Sequence, residues 1–161
     1  MNHLSTRLKV VLGESVVASS AATLSVMAFE VPVWAMFVGW ISFFTRGLNL
    51  KAGAVNLICV LTGVVMGIGA AHAMAALTPV MGGYAISVVV FAITVIALSL
   101  AKAPVFNNLL GFFLGLVAYF ASHQPPSFTA FWMLGLAATL GTTAAFIAHT
   151  LQKHLQQNVA H

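Results

Sequence analysis

Charge is what this sequence has least of. Only 5% of its 161 residues are charged, six Lys or Arg and two Asp or Glu, whereas a soluble domain usually carries about 25%. Hydrophobic residues make up 61% of the chain. So few charges cannot keep this much apolar surface in water, which excludes a water-soluble fold. The sequence therefore predicts an integral membrane protein.

Cysteine and carboxylates are also scarce. Cys59 is the single cysteine, so the chain forms no internal disulfide. Glu14 and Glu30 are its two acidic residues, and no nucleophile–base–acid arrangement, nucleotide motif or phosphate loop accompanies them. No two histidines have the spacing of a metal site on one helix. We therefore expect no enzyme activity, no cofactor and no metal.

Six apolar segments fill most of the chain. The basic residues stand singly at the ends of these segments, which is typical of membrane topology signals rather than of nucleic-acid binding. The apolar runs have the length of helices, so the predicted fold is all-α with six transmembrane helices. The predicted segments are 10–29, 32–45, 52–77, 84–101, 105–122 and 128–151, with a turn at 78–83 and a cytoplasmic tail at 152–161.

The second segment, 32–45, is short for a crossing. As a helix it measures about 21 Å, against a hydrocarbon core of about 30 Å. If it nevertheless crosses and the amino terminus is cytoplasmic, all six basic residues are cytoplasmic and Glu30 is external. A re-entrant segment would move Arg46 and Lys51 outside. The charge pattern therefore favours six crossings with both termini cytoplasmic.

The chain resembles itself at an offset of 72 residues. About ten identities fall in about 68 positions, roughly twice the number this composition gives by coincidence, and coincidence stays an alternative. Three helices repeated once must point in opposite directions, so residues 10–77 and 82–151 are predicted to form a 3+3 inverted repeat within one membrane domain, 1–161. The matching pairs include Pro32 with Pro104, Gly39 with Gly111, Gly63 with Gly135 and Gly69 with Gly141.

Glycines four residues apart indicate close helix packing in the third and fifth segments. Gly63 and Gly67 share one helix face, as do Gly111 and Gly115. A glycine face lets another backbone approach closely. The partner helix is either within the same chain or in a second subunit of a homo-oligomer.

The first segment carries an acidic residue and a row of hydroxyls. Glu14 either reaches the cytoplasmic headgroups or faces a watery cavity, because a charge at the centre of a membrane helix is costly. It could also pair with a lysine. Ser15 and Ser19 begin a hydroxyl row at a spacing of four, which suits a polar wall or a close helix contact. The possible ion-pair partners of Glu14 are Lys9, Lys51 and Lys102.

Amides and aromatics mark the short segments. Asn56, Asn107 and Asn108 need hydrogen-bond partners, because an unmet polar group in a membrane is costly. Asn107 and Asn108 open the fifth segment, where they either cap the helix or line a vestibule. Trp40 and Phe44 lie on one face of the second segment and are candidates for a constriction.

The chain resembles a bacterial family over its whole length. The resemblance is carried by Phe37-Val38-Gly39-Trp40-Ile41-Ser42-Phe43-Phe44, then Gly47, Lys51 and Gly53, then Leu61-Thr62-Gly63-Val64-Val65. These residues are similar to those of the YcdZ-like inner-membrane proteins, which carry a domain of unknown function. The resemblance implies a multi-pass protein of the bacterial inner (plasma) membrane and implies no reaction.

These observations give two hypotheses of function. The first is a channel or transporter for a small neutral or weakly ionising solute, with a path between the two repeats. The second is a non-transporting membrane subunit or regulator that packs against another membrane protein. The candidate path residues are Glu14, Ser15, Ser19, Trp40, Phe44, Asn56, Asn107 and Asn108.

Overall fold

The computed structural model describes residues 2–104 and 106–157, with side chains from Thr6 onward. This part of the chain contains helices and no strand. Its six α-helices are α1 (Asn2–Met27), α2 (Val33–Phe44), α3 (Leu50–Met81), α4 (Ala85–Leu100), α5 (Leu109–Ala121) and α6 (Phe128–Gln157), and a 3-10 turn, Gly82–Tyr84, joins α3 to α4.

Three helical stretches are long and apolar enough to cross a membrane. They are Thr6–Met27, Leu50–Leu100 and Phe128–Gln157, and the second of them joins α3, the turn and α4. The apolar helices α2 and α5 are short, with 12 and 13 residues, or about 18–20 Å at the helical rise per residue. The chain is thus an all-α protein with the apolar helices of a membrane protein.

Two helix boundaries correct the sequence prediction. The predicted turn at Thr78 and Pro79 is wrong, because α3 continues to Met81 with Pro79 inside its last turn. Proline has no N–H to donate to the carbonyl four residues earlier, so the last turn of α3 lacks one helix hydrogen bond. The helix stops at Gly82, whose φ of 54° lies in the left-handed region that glycine adopts without strain. The second boundary is at the start of the chain, where α1 begins at Asn2 and the predicted first segment began near residue 10.

The fifth helix is also shorter than predicted. It begins at Leu109 instead of residue 105, and Asn108 caps it by accepting a hydrogen bond from the Gly111 N–H at 3.1 Å. Residue 105 lies outside the described residues. The N-cap residue adopts a non-helical conformation, so the chain before Asn108 does not continue the helix. The predicted tail is helical as far as Gln157, and residues 158–161 are outside the described part.

Contacts along the helix pairs set the helix directions. Gly13 of α1 faces Leu151 of α6, while Ala21 shares a buried cluster with Ala144. These helices are therefore antiparallel. Contacts of the same kind make α3 antiparallel to α6, through Gly53 with Thr142 and Gly135 with Leu61.

The short helices α2 and α5 are antiparallel as well. Asn108, before α5, bonds to Thr45, after α2, whereas Tyr119 near the end of α5 packs in one cluster with Ala35 near the start of α2. Helix α5 runs parallel to α3, because Gly63 faces Phe112 and Gly67 faces Tyr119. The odd-numbered helices thus share one direction and the even-numbered helices the other, since α4 folds back on α3 after the turn.

Two glycine crossings each join a short helix of one half of the chain to a long helix of the other half. Where α2 crosses α6, a β-carbon at Gly39 would collide with the carbonyl of Ala138, and one at Gly141 would collide with the carbonyl of Met36. The backbones therefore touch directly, and no side chain separates them.

The crossing of α5 and α3 has the same form. A β-carbon at Gly115 would collide with the Val60 carbonyl, and one at Gly63 with the Phe112 carbonyl. In each of the four helices, the carbonyl that faces the partner's glycine lies one helical turn before that helix's own glycine. Each crossing thus uses one glycine from the short helix and one from the long helix.

This equivalence differs from the gapless alignment of the sequence with itself. By contact, Gly39 corresponds to Gly115 rather than to Gly111, and Gly63 corresponds to Gly141 rather than to Gly135. The glycine contacts therefore do not follow the offset of 72 residues, and the 3+3 inverted repeat stays a prediction.

An apolar cluster lies beside each crossing. One contains Ala21, Met36 and Ala144, and the other contains Ala97, Met66 and Leu116. Each cluster thus joins one short helix, one long helix and either α1 or α4.

Candidate functional site

A network of buried amides joins the two halves of the chain. Asn56 on α3 and Asn108 before α5 are 1% and 5% exposed. Asn108 Nδ2 donates to Asn56 Oδ1 at 2.8 Å and to Thr45 Oγ1 at 2.7 Å. Asn56 Nδ2 donates to the carbonyl of Arg46 at 2.9 Å and, more weakly, to that of Phe43 at 3.4 Å. Every amide proton and oxygen of the pair has a partner, as burial requires.

The network fixes the loop between α2 and α3. Thr45 Oγ1 donates to the Ser42 carbonyl at 2.6 Å, and Asn49 caps α3 by accepting from the Ala52 N–H at 2.9 Å. Gly47, with a φ of 62°, makes the turn between them. The position of the Arg46 backbone is therefore set by α3 and by the start of α5.

A cavity of about 360 Å³ lies over this network. We call it the mouth cavity. Its polar lining consists of Arg46, Asn49, Lys51, Asn56 and Asn107, and the rest of the lining is apolar. The helix directions place it at the end of the bundle where α2 ends and where α3 and α5 begin. The first-turn N–H groups of α3 and α5 add positive partial charge at the same end.

The bundle below the mouth cavity is closed. Phe43, Phe112 and Met36 are fully buried, and the backbones touch at both glycine crossings. At the other end of the antiparallel pair α2 and α5, Val31 and Tyr119 pack in an apolar cluster. One end of the interface between the halves is thus polar and the other end is apolar.

The structure brings together some of the candidate path residues. Asn56 and Asn108 are bonded to each other, and Asn107 lines the mouth cavity beside them. Trp40 is half-buried on α2, and Phe44 is exposed there, with their ring centroids 6.3 Å apart.

Other candidates lie elsewhere. Ser15 and Ser19 are exposed on α1, and their hydroxyls donate to carbonyls of their own helix at 2.7 and 3.0 Å. Glu14 is half-exposed on the same helix. Among the residues whose side chains are described, no ion pair joins it to Lys9, Lys51 or Lys102, and its role stays a prediction.

His149 on α6 is the buried polar residue left without a partner. It is 7% exposed, and neither ring nitrogen has a hydrogen bond within the described residues. Its ring centroid lies 6.0 Å from that of Phe43 and 6.5 Å from that of Phe44. An unmet imidazole at a helix contact costs stability. The described part of the chain has no group of three or more His, Cys, Asp or Glu residues that could hold a metal ion.

Sequence reasoning missed two parts of this arrangement. It did not assign packing roles to Gly39 and Gly141, because it looked for two glycines on one helix rather than one on each. It also missed Thr45 and Thr142, whose hydroxyls contact Asn108 and the Gly39 carbonyl, the latter at 3.1 Å. A threonine at the end of the second apolar segment was the available signal for Thr45. No sequence signal pointed to the contact of Thr142.

Comparison with known proteins gives a family match. Residues 11–149 match the family described as "Protein of unknown function (DUF1097)". This description does not carry the YcdZ-like name. No curated protein and no solved structure matches the chain.

Proposed function

Because the chain belongs to the DUF1097 family of proteins of unknown function, we propose its function from its own geometry. The proposal is a channel or transporter for a small neutral or weakly ionising solute, in the inner membrane of a bacterium. The observation that supports it is the pair of similar glycine crossings, Gly39 with Gly141 and Gly115 with Gly63. Each crossing joins two parallel helices, and the pair α2 and α6 runs opposite to the pair α5 and α3. Inverted repeats with short helices at their interface recur in membrane transport proteins.

The proposed topology has six crossings and both termini in the cytoplasm. Under it, the alternating helix directions place the basic residues at one end and Glu30 at the other, which agrees with the positive-inside rule. The short helices α2 and α5 then cross where the bilayer thins or where the surrounding helices shield them. Reporter fusions after residues 47 and 103 are expected to report the cytoplasm, and fusions after residues 82 and 124 the exterior. A cytoplasmic signal at residue 82 would contradict the six crossings.

The proposed path runs from the mouth cavity past the amide pair and between α2 and α5. Asn56 and Asn108 bond to each other when the path is closed, and a polar solute would compete for their hydrogen-bonding groups. The path would open if α2 and α5 shifted against the long helices at the two glycine crossings.

Cys59 provides a direct test of this path. It is fully buried on α3, one helical turn beyond Asn56. In proteoliposomes, we expect flux of at least one of urea, glycerol or acetate above that of empty vesicles. We also expect a small thiol reagent to block this flux in the wild type and to leave Cys59→Ala unaffected. No flux for any solute, with the protein folded and inserted, would contradict the proposal.

A second function is favoured by a different observation. The core is closely packed and its amide pair is satisfied within the chain, as expected of a non-transporting subunit or regulator. Under this alternative, the exposed apolar helix faces contact another membrane protein or a second copy of the chain. It predicts no flux, together with a fixed partner that co-purifies in constant ratio after crosslinking in membranes.

A further inference from the structure

We infer that the mouth cavity binds a small anion through a carboxylate or phosphate group. Arg46 and Lys51 both line the cavity, and no acidic residue does. The two acidic residues of the chain are Glu14, on α1, and Glu30, which follows it. Neither forms an ion pair with the two cations within the described side chains. The positive charge of the cavity is thus not balanced from within the described chain.

The backbone of Arg46, which lines the mouth cavity, is held by hydrogen bonds to buried side chains. The Arg46 carbonyl accepts a hydrogen bond from Asn56 Nδ2 at 2.9 Å, and Asn56 is in turn bonded to Asn108. The preceding residue, Thr45, is bonded to Asn108 directly. The loop that carries Arg46 is thus tied to α3 and to the start of α5. The guanidinium therefore starts from a fixed point, which lowers the entropy lost on binding.

The chemistry of the lining favours an oxyanion. A guanidinium presents two parallel N–H groups that match a carboxylate or a phosphate, and an ammonium adds charge without directional demand. The amide of Asn107 lies in the same lining and supplies further N–H donors. The volume of about 360 Å³ is at the lower end of ligand pockets, which suits a small group.

Two sources could supply this group. One is a free anion such as acetate or phosphate, and the other is the phosphate of an anionic lipid headgroup at the membrane surface. If the bound anion is also the transported solute, that solute is a weak acid in its ionised form, and this part of the inference rests on the proposed function. The binding itself can be measured without transport.

The test uses the full-length protein in nanodiscs of pure phosphatidylcholine and in nanodiscs that also contain phosphatidylglycerol. In the first, acetate and phosphate are titrated by calorimetry at low chloride. In the second, lipid retention is counted by native mass spectrometry. Arg46→Gln and Lys51→Gln are expected to weaken binding roughly tenfold each, since each removes a charge-assisted contact. Lys102→Gln is the matched control, a basic residue at the same end of the bundle and outside the cavity lining.

The outcomes separate the sources. Saturable binding of acetate or phosphate in pure phosphatidylcholine supports a free anion. Selective retention of phosphatidylglycerol, lost in Arg46→Gln and kept in Lys102→Gln, supports a lipid headgroup. Absence of both, or equal loss in the control, overturns the inference. Flux of urea or glycerol without anion binding overturns this inference alone, whereas anion binding without any flux contradicts only the proposed function.

Discussion

Asn108 donates a hydrogen bond from Nδ2 to Oδ1 of Asn56 at 2.8 Å, and both side chains are buried. The bond connects the start of α5 to α3 across the interface between the two halves. Through Thr45 and Arg46 the same pair also fixes the end of α2. Three helices therefore depend on two neutral side chains that lie next to a positively charged cavity.

Asn108→Ala should destabilise the protein strongly. The substitution removes the cap of α5, which is worth about 1 kcal/mol, and leaves Asn56 Oδ1 without a donor, which costs about 1–3 kcal/mol. We expect a loss of about 2–4 kcal/mol in the free energy of unfolding, measured by denaturant titration in mild detergent with circular dichroism. Asn107→Ala is the control, because Asn107 is exposed, and it should change stability by less than about 0.5 kcal/mol. Equal effects of the two substitutions would show that the network does not stabilise the fold.

Gly63→Ala should disrupt the crossing of α3 and α5. The new methyl group would collide with the Phe112 carbonyl, and the backbones would have to separate, at a cost of about 1–3 kcal/mol or more. Gly69→Ala is a matched control on the same helix, because a β-carbon there meets nothing within 4 Å. The two variants are compared by thermal unfolding in detergent. A melting temperature for Gly63→Ala as high as that for Gly69→Ala would contradict the crossing.

Gly111→Ala should be rescued by Cys59→Gly. A β-carbon at Gly111 would lie 2.8 Å from Cβ of Cys59. The methyl group added by Gly111→Ala can therefore occupy the space that Cys59→Gly vacates. We expect a favourable coupling free energy of about 1 kcal/mol in a double-mutant cycle of unfolding free energies. Additive effects would mean that the two positions are not in contact.

His149→Phe should stabilise the protein. Phenylalanine keeps the aromatic contacts with Phe43 and Phe44 and removes two ring nitrogens that have no hydrogen bond to the described residues. The expected gain is about 1 kcal/mol in the free energy of unfolding. His154→Phe, at an exposed position of the same helix, should leave the stability nearly unchanged. A loss of stability in His149→Phe would show that the imidazole has a partner from outside the chain.

The repeat illustrates the limit of reading this chain without its structure. Glycines and prolines suggested two related halves, and a gapless alignment paired Gly39 with Gly111. The contacts instead pair the crossing at Gly39 with the crossing at Gly115. Two glycines lie one turn apart on α5, and an alignment of identities has no means of choosing which of them meets the long helix. That choice depends on how the helices cross.

The sequence predicted only part of the candidate site. Asn56, Asn107 and Asn108 could be named from the cost of unmet amides in an apolar segment, and they lie together. Ser15 and Ser19 looked equally suitable, yet they lie on the exposed face of α1 and bond to their own helix. Hydroxyls can satisfy themselves locally, whereas a buried amide requires a partner from another segment.

By itself, the sequence determined that this is an all-helical membrane protein and where most of its helices lie, because these properties follow from composition and from the length of apolar runs. Only the tertiary structure decided which helix faces meet, which glycines allow the backbones to touch and which amides pair. The physical reason is that lipid and protein interior are both apolar. In a membrane helix, hydropathy therefore does not distinguish the face that packs against a neighbour from the face that contacts lipid.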